Sequence, residues 1–161
     1  MADSDSALLQ KLSTALNGSA QRDALPQVLD LLLARFGCTT GTVHLLNEKS
    51  GLLELVAQRG IPDVVIDKIK TIPIGKGMAG IAGERREPVQ VCNLQTDNSG
   101  VVRPGARDTR MEGSIAAPML DSASALKGTL GVAKPVAYDF TQQECDLLMK
   151  AGRLIADHFQ S

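Results

Sequence analysis

Six consecutive residues, Gly75-Lys76-Gly77-Met78-Ala79-Gly80, carry the spacing G-x-G-x-x-G, which between a strand and a helix can cradle a pyrophosphate. The surroundings argue against that chemistry. Pro73 interrupts the preceding strand, no strand–helix–strand repeat follows, and Asn93 stands about 20 residues on, where a ribose-binding acid belongs, with Asp97 further along. No Gly-Lys-Ser/Thr is present, so the phosphate-loop pattern fails too. The glycines read instead as points of close backbone approach between a helix opening near Met78 and a sheet. The start of that helix has its own chemistry, because its first amides and positive dipole end favour an anion. Arg103, Arg107 and Arg110 lie together in a polar stretch, and a guanidinium fork suits a carboxylate, phosphate or other oxyanion. Solvated loop charge, partly offset by Asp108, accounts for the same arginines without a ligand.

His44 lies in a β-type run, where a hydrogen-bonded core histidine is the ordinary reading. Cys38, Cys92 and Cys145 are an odd set with no CxxC pair, which excludes a disulfide framework and a zinc site. Gly-x-Ser-x-Gly, HExxH and any His/Cys cluster are absent, so no catalytic residue, metal ligand or cofactor is assigned. Asp63 and Asp67, four apart on an expected helix, form a solvated face.

These residues must be positioned by 161 residues that hold 17 Lys+Arg against 18 Asp+Glu, a net charge of -1. That length makes one domain the expectation and hides roughly 70% of the surface an unfolded chain exposes, so no metal or disulfide staple is required. Balanced charge excludes the basic face of a nucleic-acid binder. An aromatic content of 2% excludes a stacking platform for bases. No run of about 18 apolar residues exists and the acidic N-terminus lacks the start of a signal peptide, so no membrane contact is expected and the cytoplasm is the expected location.

Apolar spacing predicts helices over 6–16 and 23–36, the second with Pro26 in its first turn and Gly37 as its stop. The period then changes to that of strands over 40–47 and 52–58, joined as a hairpin and covered on both faces. A short helix over 64–70, an edge strand over 71–74 containing Pro73, a helix over 78–86 and a strand over 88–92 follow. Residues 93–110 form a long polar connection, of the kind that serves as a lid. A second hairpin spans 112–120 and 126–136. Thr141-Gln142-Gln143-Glu144 is a capping box that opens the last helix, with Phe140 placed to staple onto Cys145. The order is α+β with a largely antiparallel sheet.

The stretch Ile72-Pro73-Ile74-Gly75-Lys76-Gly77-Met78-Ala79-Gly80-Ile81-Ala82 resembles the signature of GAF domains, in which a proline and spaced glycines introduce the helix that walls the ligand pocket. Leu130-Gly131-Val132, Phe140-Thr141 and the closing helix resemble the end of the same family, so the resemblance runs from about Leu8 to Phe159. It implies a central antiparallel sheet of about six strands, terminal helices on one face, and a ligand pocket with short helices on the other. One such domain is expected over 1–161, with 1–5 disordered. Within the family, free methionine sulfoxide reductases place a catalytic cysteine in the glycine motif and further cysteines around the lid. This chain has Ala79 in that motif and none over 93–110, and Cys92 stands alone before the lid without a resolving thiol. The Asn-Lys pair and the later Phe with Asp-Glu of cyclic-nucleotide members are degraded here to Asn93-Leu94 and Phe140 with Glu144-Cys145.

The resemblance implies a non-enzymatic sensory module. Its expected ligand-binding set is His44, Gly77, Met78, Cys92, Val102, Arg103, Arg110, Met111, Ser114 and Ala116, around a small polar or anionic ligand held under the lid. The terminal helices are expected to signal to a separate output protein. Leu9, Leu12 and Leu16 beside Leu148, Ile155 and Phe159 are expected to offer apolar surface for a homodimer. Two alternatives stand beside this: a free methionine sulfoxide reductase-like enzyme using Cys92, and a ligand-free interaction or dimerisation scaffold.

Overall fold

The computed structural model describes residues 2–18, 21–102 and 104–159, with the side chains of 2–4, 21, 104 and 105 excepted. Three helices form one layer: α1 (Ala2–Gly18), α2 (Leu25–Phe36), entered through a 3-10 turn at Gln21–Ala24, and α6 (Gln142–His158). Pro26 occupies the first turn of α2, where no amide bond is lost, and Gly37 ends the helix in the left-handed conformation at φ 64°. The expected capping box opens α6: the Thr141 hydroxyl accepts from the Glu144 amide at 3.1 Å and the Glu144 carboxylate accepts from the Thr141 amide at 2.9 Å. α1 starts at Ala2. Asp5 fixes it, accepting from Arg35 of α2 at 2.9 Å and from Gln143 of α6 at 3.1 Å.

The second layer is one six-stranded sheet in the order β3-β2-β1-β6-β5-β4, antiparallel at every pairing. Its strands are β1 (Thr40–Asn47), β2 (Leu52–Arg59), β3 (Thr71–Pro73), β4 (Val89–Val91), β5 (Ser114–Leu120) and β6 (Leu126–Ala133). Pro73 lies on the edge strand β3, where a missing donor costs least. Along each central strand, alternate residues enter the helix layer: Val43 and Leu45, Leu130 and Val132, Ile115, Ala117 and Met119 pack with Leu12, Leu29, Leu32, Leu148 and Ile155 in one core. Leu12, Leu16, Leu148 and Ile155, expected as surface for a second copy, are therefore consumed inside one chain. Of that stripe only Leu9 and Phe159 remain partly buried, joined by Leu154 of α6.

The third layer covers the other sheet face with α3 (Asp63–Ile69), α4 (Gly77–Arg85), the short α5 (Pro104–Arg107) and the connection around it. A smaller apolar cluster of Ala82, Val89 and Ala116, with Met78, Ile81 and Val101 against it, seats α4 and the connection on the sheet. Gly80 is the close contact between layers: a Cβ there would lie 2.3 Å from the Pro73 carbonyl oxygen. No helix among the described residues is long and apolar enough to cross a membrane.

Candidate functional site

Between the sheet and this third layer lies a cavity of about 370 Å³, room for about a dozen water molecules. Its floor is a grid of cross-strand neighbours. Thr40 of β1, Ala133 of β6 and Ser114 of β5 form one row and Thr42, Gly131 and Ala116 the next, with His44 of β1 at the end of the floor. The middle strand contributes almost no side chain in these two rows, so the floor is a trench along β6 flanked by hydroxyls. Its roof is apolar, formed by Ile61, Val65, Ile69 and Ile72 with Met78 and Ala79 at the start of α4. Leu94, Ala106 and Thr109 of the long connection close it.

The connection is held to itself rather than to a ligand. Arg107 donates to the carbonyls of Leu94 at 3.2 Å and Asp97 at 2.6 Å, and the Gln95 amide donates to those of Arg107 at 3.1 Å and Met111 at 2.8 Å. Lys68 of α3 reaches Asp108 across the mouth at 3.0 Å, a pair with side chains 55% and 50% exposed. Exposed pairs of this kind contribute ~0–1 kcal/mol, so the mouth is clasped but not locked.

Of the residues expected to hold a ligand, His44, Gly77, Met78, Ser114 and Ala116 line the cavity. Cys92, Val102, Arg110 and Met111 do not line it. Cys92 is exposed just beyond β4, where its carbonyl accepts from the Tyr138 amide at 3.0 Å. Val102 is partly buried. Arg110 is exposed at a left-handed turn with φ 62°, and Met111 is turned toward the Thr39 hydroxyl, which lies 3.3 Å from its sulfur. Arg103 lies outside the described residues. The sequence reading missed Thr40, Thr42, Lys68, Ile69 and Thr109. A signal for the first two was available: Thr40, Thr42 and His44 alternate with Val43 and Leu45, marking a polar face opposite the core.

His44 is only 2% exposed, and its Nε2 lies 2.8 Å from the Ile69 carbonyl, to which it donates in the neutral tautomer. Burial lowers its pKa, outweighing that bond, which acts to raise it. Its Nδ1 and the Thr129 hydroxyl are buried without a partner. No group of His, Cys, Asp and Glu among the described residues could hold a metal ion. Cys38, deep in the helix-side core, has its thiol pushed up to about 11 by burial, so it is inert.

The charges decide what the cavity can hold. The start of α4, worth about 0.3–1 kcal/mol to an anion, is set against a cost of several kcal/mol for desolvating a carboxylate without a buried cation. Among the described residues Lys68 is the one cationic side chain on the lining, and it is half in solvent and already paired.

A family model described as GAF domain matches residues 19–160. No curated protein matches this chain. Among solved structures, the GAF domain of a phosphoenolpyruvate-protein phosphotransferase from Acinetobacter is similar at a TM-score of 0.81 with 17% identity, covering 98% of this chain and 93% of that one. The corresponding domain from Coxiella burnetii gives 0.79 with 19% identity over 94% and 90%. The free methionine-R-sulfoxide reductase of Neisseria meningitidis, solved with its substrate, gives 0.78 with 18% identity over 94% and 86%. At these identities the likeness is one of fold.

Proposed function

The chain belongs to the GAF domain family, and from that premise we propose that it is a non-enzymatic regulatory module that binds a small polar molecule and passes the event to a partner protein through its terminal helices. The observation that carries the reading is the roofed cavity on the sheet face opposite α1, α2 and α6. β1 joins the two sides: Thr42 and His44 touch the cavity, while Val43 and Leu45 between and beside them pack against the helix layer. A ligand moves the helices only to the extent that it binds two helix arrangements with different affinity.

The test is a thermal-shift screen of a broad metabolite panel, followed by amide hydrogen exchange on each hit. A ligand at 100 times its dissociation constant adds about 2.7 kcal/mol of stability. A hit that also changes exchange in α1 or α6 supports the reading; a panel without hits favours a scaffold that works through protein contacts alone. The reductase seen among similar folds is the competing activity. Here Ala79 stands in the cavity wall and Cys92 lies off it. The chain is expected not to reduce free methionine sulfoxide with a thiol donor, and activity lost on Cys92→Ser would overturn the non-enzymatic assignment.

A further inference from the structure

We propose that the cavity selects an uncharged ring compound with hydrogen-bonding groups on two opposite edges, laid along β6 between the hydroxyls of Thr40 and Thr42 on one side and Ser114 on the other. The inference rests on the reading of this cavity as a ligand site and narrows it to a chemical class.

Three features carry it. The Thr40, Thr42 and Ser114 hydroxyls line the cavity and have no hydrogen-bond partner among the described residues, although Thr40 is 96% shielded from solvent, being only 4% exposed. Thr42 and Ser114 are half-buried, so all three hydroxyls are open to pairing with a ligand in the cavity. Next, β1 and β5 are both neighbours of β6, so Thr40 and Ser114 stand opposite each other across Ala133, on strands about 9.5 Å apart. A ligand lying over β6 and pairing with both therefore carries polar groups on opposed edges, and a flat ring suits the strip between the two strands. Gly131 and Ala133 leave the space over β6 for that ring; a Cβ at Gly131 would stand 3.2 Å from the Thr42 oxygen.

The third feature is the absence of available charge on the lining among the described residues. His44 closes one end of the trench as a buried imidazole bonded to Ile69, and Lys68 is committed to Asp108 at the mouth. Hydroxyls both donate and accept, so they pair with ring carbonyls and ring N–H groups alike, whereas a carboxylate would enter without a counter-ion. The amides at the start of α4 can also donate to a carbonyl oxygen, and their preference for an anion is smaller than the desolvation cost an anion would meet.

The test uses three sets of probes of matched size, titrated into the full chain and followed by amide NMR: cyclic amides and ureas (2,5-diketopiperazine, hydantoin, uracil), dicarboxylates (succinate, fumarate) and an apolar ring (toluene). The cyclic amides are expected to bind at least about tenfold more tightly than the dicarboxylates, with shifts at Thr42, Gly131 and Ser114. Thr42→Val, which keeps the shape and removes the hydroxyl, is expected to weaken them about tenfold and leave toluene unchanged. Ser114→Ala repeats the comparison on the other wall should the first variant not fold. Dicarboxylates binding as well as or better than the amides, or amide binding indifferent to both substitutions, would overturn this inference while leaving a ligand cavity in place. No shift at the cavity from any probe at about 10 mM would overturn the ligand reading itself, and this inference with it.

Discussion

His44 shows how one side chain can be read correctly in kind and still be misjudged in consequence. A core histidine bonded to backbone is what its place in a strand predicts, and the Ile69 carbonyl supplies that bond. The bond partner could not be read from sequence, because it lies 25 residues away on another element. Since burial lowers the folded-state pKa, the unfolded chain takes up the proton first. Stability is then full above the unfolded value of about 6.5 and is lost as pH falls below it toward the folded value. Urea unfolding between about pH 7 and 5 should show a slope of up to about 1.4 kcal/mol per pH unit, and His44→Gln should flatten it. An unchanged slope in that variant would assign the dependence to other groups. The arginines teach the opposite lesson. A guanidinium satisfies backbone carbonyls as readily as oxyanions, and Arg107 staples its own loop. Residue type alone does not separate the two.

At the scale of elements, local signals were legible and pairings were not. The Thr141 capping box, Pro26 at the head of α2 and Gly37 at its end are contained within a few residues, and each stands where the sequence places it. Strand order depends on contacts across the whole chain, so the trench over β6 could not be seen: its walls, Thr42 and Ser114, are 72 positions apart in sequence but share β6 as a neighbour. The glycine motif is intermediate. Close approach of helix and sheet was the expectation, and Gly80 meets the Pro73 carbonyl in that way. Because backbone carbonyls cannot swing aside as a side chain does, Gly80→Ala is expected to cost about 2 kcal/mol through overpacking, read as a lowered urea midpoint at constant slope. A variant as stable as the parent would show that α4 can slide on β3 without penalty.

For the molecule as a whole, three layers divide the work: helices that build the core, a sheet that separates, and a cover that holds space open. The outer faces of α1 and α6 form a shallow groove in which Leu9 and Leu154 lie among Lys150, Arg153 and Asp157. With most of their leucines consumed in the core, a dimer through these helices would be a small interface and therefore weak. Light scattering over a wide concentration range should show one chain when dilute and two when concentrated, with Leu154→Lys holding the mass at one. A single-chain mass at every concentration would remove the dimer.

The two borders of the sheet settle one more matter. Each is a strand of only three residues, and one of them ends on a proline, so a foreign segment searching for an open ladder would find too few rungs to hold. Fibril-like growth from the rim is thereby discouraged, and any assembly of copies is left to the helical side.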